Sequence, residues 1–204
     1  RAMRIIHTHP FNHAGYYPGA SQMAIKLIVD PATDDILGAQ VVGDEGVDKR
    51  IDVIATAMSA GITASGLMDL ELSYAPQFAS AKDPVNMLGY VNENRALGEA
   101  SIQWHEVESY LEQGWQLLDV RTSDEYSRGA IPGSQLITLD ELRGHVDELR
   151  GSKVIVTCRV GQRGHTAASI LAQAGIEVAN LDGGYLTWQL GTAATPQPAL
   201  SSTH

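Results

Sequence analysis

Strand and helix signals alternate along the second half of the chain, and this alternation constrains the fold more than any other feature of the 204 residues. Residues 116–120 read as a strand, 123–128 as a helix and 134–137 as a short strand. A helix over 139–149 keeps Leu139, Leu142, Val146 and Leu149 on one side. Lys153–Thr157 (KVIVT) is a β-branched apolar strand, followed by a helix over 165–174, a strand over Glu177–Leu181 and a helix over 185–190. Strands that alternate with helices build a parallel sheet with helices on its faces. The first half reads differently. Residues 24–30 (AIKLIVD) and 36–42 (ILGAQVV) flank the turn-forming stretch Pro31 to Asp35 and predict an antiparallel hairpin. Apolar residues at three- and four-residue spacing predict a helix over 47–60, closed by Gly61, and a short helix follows over 63–69. Pro76 and Pro84 interrupt an irregular stretch over 72–90, and a weak helix over 91–96 runs into a polar segment at 92–101. The expected organisation is an α+β domain with an antiparallel sheet (1–98), an α/β domain with a parallel sheet (99–191) and a disordered Pro/Ser/Thr/Ala-rich tail (192–204).

Composition narrows the function classes. With 44% hydrophobic and 19% charged residues the chain is globular in type, and no apolar run approaches the roughly 18 residues that span a bilayer. The net charge of −10 divides evenly, with 7 Lys and Arg against 12 Asp and Glu in each half. Such a field disfavours phosphate backbones, so no nucleic acid is expected as a partner. A single cysteine, Cys158, rules out an internal disulfide framework and suits a reducing cytoplasm. Residues 1–23 lack the apolar core of a secretion signal and begin in mid-strand chemistry, which implies a piece of a longer chain.

Cys158 is placed for chemistry. In open α/β sheets ligands bind where a strand hands over to a helix, and the run KVIVT-CRVGQRG-HTAASILAQAG puts the thiol at that handover. Gly161 and Gly164 let the loop curl with its amides inward, the helix N-terminus adds about half a positive charge, and Arg159 and Arg163 add full ones. A thiol in that setting ionises more readily than a free cysteine and becomes a nucleophile in an anion cradle. Cysteine-dependent phosphatases place five residues between Cys and Arg. Here four residues (Arg159, Val160, Gly161, Gln162) separate Cys158 from Arg163, and the tighter ring suits a persulfide sulfur.

Three ordered motifs over about 90 residues carry a family resemblance: LLDVRTSDEYSRGAIPGS from Leu117, CRVGQRG from Cys158 and LDGGYLTW from Leu181. The second half resembles a rhodanese domain. The resemblance implies that Cys158 carries sulfane sulfur as a persulfide and that the backbone amides of Arg159, Val160, Gly161, Gln162, Arg163 and Gly164 hold it. Asp119, Arg121 and Glu125 fall at positions read as structural hydrogen-bonding groups. Ala130 stands where the family has His, a change expected to be neutral. Gly164 replaces a common Ser or Ala, a departure expected to loosen the loop and alter donor preference. His165, just past the loop, reads as a polar residue at a helix start.

The first half carries its own resemblance, on HAGYYPGA (from His13), ILGAQVVG (from Ile36) and LSYAPQFASAKDPVNMLGY (from Leu72). It resembles the dimerisation domain of pyridine nucleotide-disulfide oxidoreductases of the coenzyme A disulfide reductase branch, some of which carry a rhodanese domain. That implies a homodimer through residues 7–90, a parent chain with N-terminal flavin and nucleotide domains, and FAD, NAD(P)H and coenzyme A as the parent's cofactors. Tyr74 and Tyr16 or Tyr17 become candidates for bordering the partner's disulfide site. No Gly-x-Gly-x-x-Gly is present, so this chain alone is expected to bind none of these dinucleotides. His7, His9 and His13 lack a fixed-spacing carboxylate or thiol partner, and no metal is expected. Two readings stand: a thiosulfate or persulfide sulfurtransferase serving thiol acceptors, and a carrier module that delivers persulfide only to its parent reductase.

Overall fold

The computed structural model describes residues 1–194. The chain divides into two compact units, Arg1–Ser101 and a second that starts at Ile102. No described helix is long and apolar enough to cross a membrane.

The first unit is built on a three-stranded antiparallel sheet, ordered β1 (Arg4–Thr8), β2 (Ala24–Val29), β3 (Ile36–Val42). Period-two alternation decides which face is covered: along β2, Ile25, Leu27 and Val29 are buried while Ala24, Lys26 and Ile28 are half-buried. Ile54 and Ala57 of α1 (Val47–Ser59) and Val85 and Leu88 of α2 (Pro84–Ala96) join the same core as β2. α2 is longer than the sequence suggests, because Pro84 starts the helix. Asp83 accepts a hydrogen bond from the Val85 amide at 3.0 Å, and Pro84 sits at the first helical position, where its missing N–H costs nothing. Leu88, grouped with the irregular stretch by sequence, is therefore core. The expected second helix is a 3₁₀ turn, Ser65–Asp69, tied to α2 by the Asn86 amide, which donates to Leu67 O at 3.0 Å and Leu70 O at 2.9 Å.

The second unit carries a five-stranded sheet in the order β4 (Ser101–Ile102), β8 (Glu177–Leu181), β7 (Lys153–Thr157), β5 (Gln116–Asp119), β6 (Gln135–Leu136). The pairs β5–β6, β5–β7 and β7–β8 are parallel. β7 has Val154, Ile155, Val156 and Thr157 buried, as a central parallel strand requires. Its alternate residues serve two cores. Val154 and Val156 pack with Ala167, Ala168 and Leu171 of α5 (Gln162–Gln173), whereas Ile155 packs with Leu117, Leu181 and Val107 of α3 (Val107–Glu112). The sequence gives no clear signal for β4 and α3.

Three helix boundaries differ from the sequence reading. Residues 142–149 form a 3₁₀ helix in place of an α-helix from 139, with Gly144 weakening the α form. α5 begins at Gln162, because Gly161 caps it, so Gln162, Arg163 and Gly164 belong to its first turn. The last helix, α6 (Gly184–Ala194), runs through Thr192, where a tail was expected. The rest of that expected tail, 195–204, lies outside the described residues.

One ionic contact ties the first unit's helices to its loops. Arg50 and Asp83 are 1% and 3% exposed at the side chain, and Arg50 Nη2 donates to Asp83 Oδ2 at 2.9 Å and to Asn12 O at 2.7 Å. Removing one partner of a buried pair strands the other charge. Asp83→Ala is expected to lower the stability of this unit by about 3–5 kcal/mol, measured by urea unfolding of the full chain.

Candidate active site

β7 ends at Thr157, and the alternation that faces Val154 and Val156 toward α5 places Cys158 on the same side. Cys158 is 1% exposed. Three residues later the chain turns at Gly161, whose φ of 94° is left-handed and suits glycine, and α5 begins. The Gly161 amide donates to Cys158 Sγ at 3.2 Å.

Two carbonyls at the start of the loop are held by α6. The first amides of α6 take them: Tyr185 N donates to Cys158 O at 2.7 Å and Leu186 N to Arg159 O at 2.9 Å. A side chain at Gly184 would put its Cβ against Cys158 O, 2.8 Å from Gly161 N and 2.9 Å from Val160 N. The paired glycines of LDGGYLTW thus permit close contact between α6 and the cysteine loop, a role the sequence motif alone does not reveal.

Arg163 is committed to a partner. Its guanidinium makes a two-pronged pair with Glu125, Nη1 to Oε2 and Nη2 to Oε1, both 2.7 Å. Glu125 also closes a capping box on α4 (Ser123–Ser127), accepting from the Thr122 amide at 3.0 Å. The pairing with Glu125 raises the Arg163 pKa first, and the nearby Cys158 side chain adds to the effect. Arg163 thus braces the first turn of α5 against α4 while its charge also acts on the Cys158 side chain. Asp119 and Arg121 also form a closed pair. Arg121 Nη2 donates to Asp119 Oδ2 at 2.7 Å and to Gly129 O at 2.8 Å, and its guanidinium lies 4.3 Å from the Tyr185 ring centroid. These contacts fix α6, and with it the loop.

Gly164 does not leave a gap. A Cβ there would run into Oδ1 of Asn180, whose Nδ2 donates to Gly161 O at 3.2 Å. The space beside Gly164 is thus filled by the Asn180 amide. His165 is helical, its amide donating to Gly161 O at 2.9 Å.

In the first unit, Tyr16 and Tyr74 meet although 58 residues apart, their hydroxyls 2.8 Å from each other. They are 77% and 49% exposed, and the bond to Tyr16 raises the Tyr74 pKa. Tyr17 packs edge-on against His13, centroids 5.7 Å apart. His9 and His13 are buried, and no group of three or more His, Cys, Asp or Glu among the described residues is arranged to hold a metal ion.

The Arg163 pair lowers the Glu125 pKa from its usual 4.5 to about 2, despite an opposing desolvation effect. A carboxylate with a depressed folded-state pKa contributes stability above its unfolded pKa and loses it as pH falls through the folded value. The stability advantage of the native chain over Glu125→Gln is expected to be constant above about pH 5.5 and to shrink between pH 4.5 and about 2, as followed by urea unfolding across pH.

Residues 103–190 match the rhodanese-like domain family, and residues 3–84 match the pyridine nucleotide-disulphide oxidoreductase dimerisation domain family. Coenzyme A disulfide reductase of Staphylococcus aureus (strain bovine RF122 / ET3-1) is 46% identical over 78 residues, 38% of this chain and 18% of that protein. Among solved structures, reduced Bacillus anthracis CoADR-RHD is 46% identical with a TM-score of 0.89, covering 92% of this chain and 34% of that one. A NAD-dependent persulfide reductase from A. fulgidus is 36% identical with a TM-score of 0.82 over the same shares, 92% and 34%. The chain thus spans about a third of the length of these two proteins. Its first unit belongs to the pyridine nucleotide-disulphide oxidoreductase dimerisation domain family and its second to the rhodanese-like domain family, together the domain content of a coenzyme A disulfide reductase-like C-terminal segment.

Proposed function

We propose that the second unit is a sulfurtransferase that carries sulfane sulfur as a persulfide on Cys158. The observation that carries this reading is the Gly161 amide at 3.2 Å from Sγ, in a loop whose carbonyls are drawn away by α6. The Cys158 thiolate attacks the outer sulfur of thiosulfate or of a low-molecular-weight persulfide. A bond forms between Sγ and that sulfur as the donor's sulfur–sulfur bond breaks, and the electron pair leaves with sulfite or with the donor thiolate. Negative charge on the new terminal sulfur falls among the loop amides of residues 159–164 and the positive end of α5, which stabilise it. An acceptor thiolate or cyanide then attacks the terminal sulfur and releases Cys158 as thiolate. The lone thiol on which this depends suits a reducing, cytoplasmic setting.

For the longer enzyme we propose a flavin- and NAD(P)H-dependent coenzyme A disulfide or persulfide reductase, with the present chain following its N-terminal flavin and nucleotide domains. The residues here do not fit a dinucleotide, since no Gly-x-Gly-x-x-Gly is present. A second reading is favoured by the 1% exposure of Cys158: a carrier that loads sulfur but delivers it only to its parent reductase. Thiosulfate is expected to add about 32 Da, one sulfur atom, to Cys158 by mass spectrometry. Cys158→Ser is expected to abolish both the adduct and sulfur transfer to cyanide, and residual transfer would sink the assignment. Turnover with free cyanide supports the enzyme reading, whereas an adduct without turnover supports the carrier.

We also propose that residues 7–90 form a homodimer surface, with Tyr16, Tyr17 and Tyr74 candidates for bordering the partner's disulfide site. The exposed aromatics support it: Tyr16, Tyr74 and Phe78 are 77%, 49% and 69% exposed, and the segments bearing them are joined by Ala14 N donating to Ala79 O at 3.1 Å. Sedimentation should find a dimer at micromolar concentration. Combined Tyr74→Asp and Phe78→Asp should weaken it by about tenfold or more, since buried aromatics dominate interface energy.

A further inference from the structure

We propose that Asn180 is a positioning residue for the sulfur-carrying loop, a role that rests on the reading of Cys158 as the sulfur carrier. Asn180 is unusual for its place. It lies near the end of β8 (EVANL), only 5% exposed, where the neighbouring Ala179 and Leu181 are core residues. Burying an amide is unfavourable unless its hydrogen bonds are made, so an amide at this position needs a compensating contact.

For the Nδ2 group that contact is the loop. β8 pairs with β7 in parallel register, Val156 opposite Asn180, and in-register neighbours face the same side of a sheet. Cys158 follows Val156 by two residues and shares that side. Asn180 Nδ2 donates to Gly161 O at 3.2 Å, while the amide of the same Gly161 donates to Cys158 Sγ at 3.2 Å. Gly161 is the residue with the most backbone freedom in the loop, with φ at 94°. Asn180 and the His165 amide, which donates to the same oxygen at 2.9 Å, together fix one of its two peptide groups and thereby constrain the direction of the other, the one aimed at sulfur.

Gly164 is the counterpart of Asn180. A Cβ at 164 would crowd Asn180 Oδ1, so the amide takes its present place beside Gly161 because residue 164 has no side chain. The two positions form a matched pair. A larger residue at 164 displaces Asn180 and should disturb Gly161 as surely as removing the amide does. Asn180 does not itself touch sulfur, and its influence on the reaction passes through the Gly161 amide.

The test uses the full chain and compares wild type with Asn180→Leu, which keeps the branching at Cγ and deletes the donor. Loading of sulfur from thiosulfate onto Cys158 is timed by mass spectrometry, and alkylation of Cys158 by iodoacetamide is measured across pH. Loading by Asn180→Leu is expected to be slower by about tenfold, the scale of one lost hydrogen bond, with the alkylation profile displaced to higher pH. A residue that only stabilised the fold would lower the unfolding temperature and leave that profile in place. If Asn180→Leu does not unfold cooperatively, Asn180→Ala and Gly164→Ala, alone and combined, replace it. The Gly164→Ala change is expected to slow loading in the native background and to cost nothing further once Asn180 is alanine. Equal loading and an unchanged profile in Asn180→Leu, or an equal cost of Gly164→Ala in both backgrounds, overturns the role while leaving the sulfur-carrier reading intact. A wild type that takes up no sulfur overturns that reading first.

Discussion

The hydrogen bonds from the first amides of α6 to the carbonyls of Cys158 and Arg159 are what turn the end of β7 into a cradle. A loop of this length has as many carbonyls as amides, and an anion is repelled by the former as strongly as it is drawn by the latter. Binding the carbonyls to a second helix removes that cancellation. It also requires α6 to approach more closely than a Cβ allows, which Gly184 permits, and it requires Tyr185 to be held, which the Arg121 guanidinium does from the far side. Asp119 in turn orients Arg121. A chain of contacts thus leads from the end of β5 through α6 to the thiol.

Charge in this site is arranged in closed pairs. Glu125 pairs with Arg163 and Asp119 with Arg121, yet Arg163 also acts on the Cys158 side chain. The Gly161 amide and the α5 terminus add to it. Amides have fixed direction and need no reorganisation as charge develops on sulfur, whereas a free guanidinium on a flexible stem must be ordered first. The paired arginine serves geometry: it anchors the turn in which Gly164 admits Asn180.

Much of this was legible in sequence, and the reasons for the rest are specific. β7 was readable because a buried parallel strand is short, β-branched and bounded by polar residues, and Cys158 was readable because a strand, a thiol and two glycines have few passive explanations. The Glu125–Arg163 pair joins residues 38 apart, and Asn180 meets Gly161 from 19 residues away. No local pattern reports such contacts. The start of α2 was legible in principle, since Asp-Pro is a helix-start signal, but proline read as a breaker hid it. The 3₁₀ helix over 142–149 shows the converse: the spacing of Leu142, Val146 and Leu149 marks a buried face without deciding which kind of helix presents it.

The first unit applies the same economy to a different end. Arg50 and Asp83 are buried together, and a buried pair of this kind is weak evidence for stability by itself. Its partners show what it arranges. Arg50 holds the carbonyl of Asn12, which precedes the loop that bears Tyr16, and Asp83 caps α2 at the end of the segment that bears Tyr74. The amide of Ala14 then joins the two segments at Pro76 and Ala79. Without that frame, two exposed tyrosines 58 residues apart would have no reason to share a hydrogen bond at 2.8 Å. Breaking the pair would therefore do two things at once, strand a buried charge and release the placement of Tyr16 and Tyr74.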